Sequence, residues 1–194
     1  MSDKGNENQD VDYGPLTPLR GTWSGRDGLD VAPEPDGTER SPYSEIITFT
    51  PSGDVTNAET QTLAVVRYHQ VVKRLSNGEV FHNQSGYWSW DVESATVIHG
   101  FVIPRGVAVV AVGKAQAIEA GWSLSVTASE SGAEGAIGQS PFMMSRARTL
   151  GFDMTLTVTQ DSIAYQQTTL LDIYGRRFEH TDESVLRPTT LSTA

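Results

Sequence analysis

The sequence predicts an all-β fold, a closed antiparallel β-barrel of about ten strands, and three observations predict it. Short runs rich in Val, Ile, Thr and aromatic residues recur along the chain between Gly, Pro, Asn and Asp turn signals, a spacing typical of sandwiches and barrels. No stretch keeps a 3.6-residue apolar period long enough for a helix of useful length. The runs also follow one another as a meander, and closing a meander into a barrel removes its exposed edges. A two-sheet sandwich is the alternative.

Residues 1–18 are polar and punctuated by Pro15 and Pro18, which reads as a mobile tail. A single barrel domain is expected over 19–188, with a second short tail at 189–194. In the opening run LRGTWSG, Trp23 stands among small residues, as in a strand whose backbone comes close to another element. Asp30 to Ser41 is rich in Pro and charge and reads as a loop. The first clear strand is Tyr43–Thr50, with Tyr43, Glu45, Ile47 and Phe49 on one face.

Thr62–Leu75 and Val80–Asp91 read as a hairpin hinged at Asn77-Gly78, since both residues tolerate the positive φ of a type I′ turn. A two-residue loop there sets Leu75 opposite Val80, Lys73 opposite His82, Val71 opposite Gln84 and His69 opposite Gly86. The other face then holds Arg74/Phe81, Val72/Asn83, Gln70/Ser85 and Tyr68/Tyr87. Neither face is purely apolar, so this hairpin reads as the wall of a half-wet cavity.

Ala95–Ile103 and Val107–Ala115 follow, parted by a tight turn at Pro104-Arg105-Gly106. Gly121–Ser129 alternates Trp122, Leu124, Val126 and Ala128 against Ser123, Ser125, Thr127 and Ser129, the pattern of a half-buried strand. Ser129–Gln139 is small and Gly-rich and reads as a loop. Pro141–Arg148 fits a helical turn or a strand. Phe152–Thr159 and Ile163–Leu171 form a hairpin about Gln160-Asp161-Ser162, and Phe178–Leu186 closes the chain after Tyr174-Gly175.

Composition narrows the function. With 24 acidic against 14 basic residues the formal charge is −10, which disfavours nucleic acid and anionic membrane as partners. The absence of cysteine excludes disulfides, zinc–thiolate sites, thiol catalysis and iron–sulfur clusters. The N-terminal decapeptide has no apolar core of a signal peptide, and no window reaches the roughly 18 apolar residues of a membrane span. A cytoplasmic protein, monomeric or homodimeric, is expected.

The chemistry-bearing residues are few. The four histidines, His69, His82, His99 and His180, follow no zincin or finger spacing. Gly21-Thr-Trp-Ser-Gly25 is not a nucleophile elbow, and Gly25-Arg-Asp-Gly28 lacks the spacing and lysine of a phosphate loop. His180 stands apart, within a run from Asp172 to Arg187 that concentrates Arg176, Arg177 and Arg187 with Glu179, Asp182 and Glu183. This run reads as a closing strand with a charged rim, or as an imidazole at a barrel mouth that binds a metal through one nitrogen while an acceptor orients the other. Asp182 is a candidate for that acceptor. A further reading makes Arg67, Tyr68 and Arg105 a carboxylate clamp, and the protein a non-catalytic carrier of a fatty acid or another small apolar ligand.

Several pieces in order, GTWSG, Tyr43-Ser-Glu45-Ile-Ile-Thr-Phe49, Arg67-Tyr68-His-Gln70, Phe81-His82-Asn-Gln-Ser-Gly86-Tyr87-Trp88 and His180–Arg187, resemble the nitrobindin family, heme-binding β-barrels built like a ten-stranded fatty-acid-binding barrel. The likeness runs from about Leu19 to Arg187 and is nearest to a bacterial branch. The resemblance implies a b-type heme at the barrel mouth, ferric at rest, with His180 as proximal iron ligand and His82 facing the ring. It implies isomerisation of peroxynitrite to nitrate as the reaction, and Arg176, Arg177 and Arg105 are the candidates in this sequence for neutralising the propionates. Two positions depart from the family: Asp27 stands where the third Gly of G-x-W-x-G-x-G belongs, and the Pro-Thr pair beyond that motif has no counterpart in Asp30–Ser41.

Overall fold

Alternation along each strand sends one set of side chains inward, and the chain closes around them. The computed structural model describes residues 11–189. Its strands are β1 (Gly21–Glu34), β2 (Gly37–Asn57), β3 (Gln61–Arg74), β4 (Val80–Asp91), β5 (Thr96–Ile103), β6 (Val107–Ile118), β7 (Gly121–Ser129), β8 (Ala136–Gln139), β9 (Ala147–Thr159), β10 (Ile163–Ile173) and β11 (Arg176–Pro188). A short helix, α1 (Pro141–Arg146), precedes β9. Ten of these strands close a ring in which every pairing is antiparallel, with β5 on β6, β7 on β9 and β11 on β1, while β8 adds to β6 outside the ring. Tyr43, Glu45, Ile47 and Phe49 all point inward, as the alternation predicts.

Antiparallel order puts the turns at Pro35-Asp36, Leu75–Glu79, Pro104–Gly106 and Tyr174-Gly175 at one end, with α1. The other end is plugged. Residues 11–18 belong to the fold: Gly14–Leu19 forms a 3₁₀ turn that buries Leu16 and Leu19 with Tyr13 beside them. Two hydrogen bonds fasten this plug, from Trp23 Nε1 to the Leu19 carbonyl at 2.7 Å and from the Gly53 amide to the Tyr13 hydroxyl at 3.0 Å. Apolar residues inside a polar-looking tail therefore cap the core. The remainder of both expected tails, 1–10 and 190–194, lies outside the described residues.

Several expected loops are strand. Asp30–Ser41 is a tight hairpin between β1 and β2, because Pro33 and Pro35 sit at its tip, where the missing N–H groups do not break the ladder. Ser129–Gln139 contributes β8, and Pro141–Arg148 splits into α1 and the start of β9. Among the described residues no helix is long and apolar enough to cross a membrane.

The central hairpin differs from its expected register. The loop is four residues long, Leu75–Gly78, closed by Arg74 N–H to Glu79 O and Gly78 N–H to Arg74 O, both 2.9 Å. Gly78 takes φ +73°, whereas Asn77 uses its side chain to accept the Glu79 amide at 2.9 Å. With a bulge at Val72/Lys73, Val72 now faces His82, Gln70 faces Gln84 and Tyr68 faces Gly86. A slip of one residue exchanges the faces of one strand relative to the other. The polar residues His82, Gln84 and Gln70 consequently gather inside the barrel with Tyr68, and His69 stays outside, bonded to Asn83 at 3.0 Å.

Candidate functional site

The open end is built where β1, β11 and β10 lie side by side. Asp30 of β1 stands directly opposite Asp182 of β11, and Asp182 stands opposite Gln167 of β10, while His180 lies two residues along β11 on the same inner face. His180 Nε2 is 2.6 Å from Asp30 Oδ1 and 3.7 Å from Asp182 Oδ2. Gln167 Nε2 donates to the other side of the cluster, to Asp182 Oδ2 at 2.9 Å. Asp30 is only 3% exposed. Burial works against the charge on His180, but the carboxylates of Asp30 and Asp182 outweigh it and raise the imidazole pKa. Burial, with Asp30 adding to it, also raises Asp182.

Asp30 reaches this position through a bulge. Trp23 faces inward, yet so does Asp30, seven residues on, because the pairing of β1 shifts between Gly25 and Gly28 on one side and between Ser24 and Leu29 on the other. Gly28 makes the shift workable. A Cβ on it would lie 2.1 Å from the Tyr43 ring.

Below this row lies a buried polar layer. Glu45, 2% exposed, accepts from Gln70 Nε2 at 2.6 Å and from the Tyr165 hydroxyl at 3.1 Å, and the hydroxyls of Tyr43 and Tyr165 meet at 2.9 Å. Burial raises the Glu45 carboxyl against the opposing bonds from Gln70 and Tyr165. An acid whose folded pKa is raised weakens the fold as pH climbs above its unfolded value near 4.3. Glu45→Gln is therefore expected to gain stability relative to the native chain as pH rises from 5 to 8, measured by urea unfolding. A parallel pair of pH profiles would contradict this account.

A second strip joins His82, Gln84, Tyr68 and His99. His82 and Gln84 are 3.2 Å apart, Gln84 Nε2 donates to the Tyr68 hydroxyl at 2.5 Å, and that hydroxyl is 2.7 Å from His99 Nε2. His99 is stacked on Trp88 with ring centres 4.0 Å apart, and burial drives its pKa down to about 3. His82, also held neutral chiefly by burial, feels the charges of Arg105 and His180.

The fold thus brings His180 and His82 to the same end and leaves the other two histidines elsewhere. Arg105, exposed in the β5–β6 turn, donates to the Phe81 carbonyl at 3.3 Å. Arg177 is exposed on the outer face of β11, and Arg176 bonds the Glu34 and Gly37 carbonyls of the β1–β2 turn. Tyr68 is deep in the barrel with its hydroxyl already engaged, and Arg67 points outward, so Arg67, Tyr68 and Arg105 do not converge as a clamp. The acceptor nearest His180 is Asp30 rather than Asp182. No local pattern marks Asp30, since its inward direction depends on the bulge.

The family model of the THAP4-like, heme-binding beta-barrel domain matches residues 12–187. The chain belongs to this family. The nitrobindin resemblance of its sequence is thereby shown. Among solved structures, that of Rv2717c from M. tuberculosis is similar with a TM-score of 0.69 at 20% identity, covering 92% of this chain and 100% of that one, which supports the fold alone. No curated protein matches the sequence.

The donor set at the open end suits the family's cofactor. An axial ligand to heme iron must offer a ring nitrogen lone pair, and a carboxylate that accepts the other nitrogen's proton makes the imidazole a better donor. Asp30 takes Nε2, which leaves Nδ1 of His180 for a metal.

Proposed function

We propose that the open end of this family member binds one heme b, ferric at rest, through His180. The observation that carries the reading is the inward-facing His180 imidazole held by the buried Asp30 carboxylate at 2.6 Å. Asp30 fixes the tautomer and orientation of the ring, and Gln167 and Asp182 hold the row beneath it. His82 faces the same end from β4 as a neutral imidazole. Arg105, whose charge reaches both histidines, is the rim cation best placed for a propionate. A bound heme would be held by His180 and would supply the iron at which the chemistry takes place. The resemblance to nitrobindins supports isomerisation of peroxynitrite to nitrate as the reaction at that centre.

Hemin titration followed by visible absorption tests the assignment. The native chain is expected to saturate a shifted Soret band at one heme per chain, and His180→Ala to lose that band while still melting cooperatively. A saturating band retained in His180→Ala would overturn it. Peroxynitrite decay kinetics on the loaded protein then test the reaction, with nitrate yield as the readout.

A further inference from the structure

The cross-strand pairing of a buried and a half-buried carboxylate calls for a cation. Like charges directly opposite one another on neighbouring strands destabilise a sheet, and burial sharpens the penalty because water no longer screens them. Asp30, buried, and Asp182, half-buried, are such a pair on the inner face of the barrel. Within the cluster one imidazole and one neutral amide face them, so even a protonated His180 leaves one negative charge over.

The ligand atoms are already gathered. One nitrogen of His180 and one oxygen each of Asp30 and Asp182 lie within 4.8 Å of one another. A first-row metal with bonds of about 2.0–2.2 Å sets adjacent tetrahedral ligands about 3.3–3.6 Å apart; the 3.7 Å contact of His180 Nε2 with Asp182 is near that span, and the 2.6 Å contact with Asp30, a hydrogen bond without metal, has to widen by less than about 1 Å. The atom now between Nε2 and the carboxylates is a proton, and a metal ion would replace it. Gln167 fixes the Asp182 carboxylate by donating to Oδ2, the oxygen that also faces His180, as outer partners of metal ligands do.

We propose that Asp30, His180 and Asp182 form a binding site for one divalent first-row transition metal ion when the barrel mouth carries no heme. A mixed imidazole and carboxylate set suits Zn²⁺, Mn²⁺, Fe²⁺ or Co²⁺, whereas Ca²⁺ and Mg²⁺ favour oxygen alone. Three protein ligands leave coordination positions for water. The site shares His180 and Asp30 with the heme reading but takes His180 through Nε2, the nitrogen that Asp30 holds when Nδ1 faces iron.

The test uses the full chain without heme and Co²⁺ as the probe, read by its visible ligand-field bands and by calorimetry. One Co²⁺ per chain is expected, with affinity reduced more than about tenfold in Asp182→Asn and in Gln167→Ala less strongly, both melting cooperatively. Protein loaded with hemin is expected to take up no Co²⁺ at this stoichiometry. Absence of Co²⁺ binding, or binding that survives both Asp182→Asn and Asp30→Asn, overturns the proposal. A parallel hemin titration of the native chain keeps the two readings apart, because heme without Co²⁺ removes only the metal site and Co²⁺ without heme removes only the heme assignment.

Discussion

Lowering the pH from 7 to 4 is expected to cost this fold about 3 kcal/mol through His99 alone. The ring is fully enclosed between Trp88, Phe101, Phe152 and Tyr68, and burial drives its pKa down to about 3 from an unfolded value near 6.5. Between those two values the unfolded chain binds a proton that the folded chain refuses, so unfolding takes up protons and stability falls with pH. Above pH 6.5 both states are neutral and the contribution is complete. His99→Gln keeps an acceptor for the Tyr68 hydroxyl but does not titrate. Urea unfolding between pH 4 and 7 is expected to show a shallower pH dependence in His99→Gln than in the native chain. Equal slopes in the two proteins would show that His99 is protonated in the folded barrel.

Gly28→Ala is expected to destabilise the barrel by about 3 kcal/mol, the upper range for forcing atoms into a packed core. The added Cβ would lie 2.1 Å from the Tyr43 ring. That ring has little freedom to retreat, because its hydroxyl is held by the Tyr165 hydroxyl at 2.9 Å and donates to the Glu183 carbonyl at 3.1 Å. Any relaxation must therefore pass into the Glu45 layer or into β1, which carries Asp30 two residues further on. The same substitution in a Tyr43→Ala background is expected to cost far less, a non-additivity that neighbouring sites show and distant ones do not. Additive losses in the double variant would mean that Gly28 is required for its backbone alone.

Strand existence was largely legible before the structure. Gly121–Ser129 and Val80–Asp91 have their expected bounds, since clean alternation or bounding turn signals carry the whole decision locally. The site was legible only in part. His180 was marked by its charged setting and His82 by the family resemblance, and both face the open end. Asp30 was hidden in a run of Pro and charge that looks like a loop, although its neighbours complete twelve paired positions between β1 and β2. The same weakness hid the plug at Tyr13–Leu19, where three apolar residues among polar ones gain their meaning only from the barrel end they close.

By itself the sequence determined an all-β closed barrel, the exclusion of cysteine chemistry and the prominence of His180, because alternation, composition and turn residues act over a few neighbours. Only the tertiary structure decided the register of the central hairpin, the bulge that turns Asp30 inward and the pairing of Asp30 with Asp182 and His180. Those depend on how ten strands satisfy one another's backbone hydrogen bonds around a ring. A one-residue shift there changes which side chains share the interior without changing any local pattern.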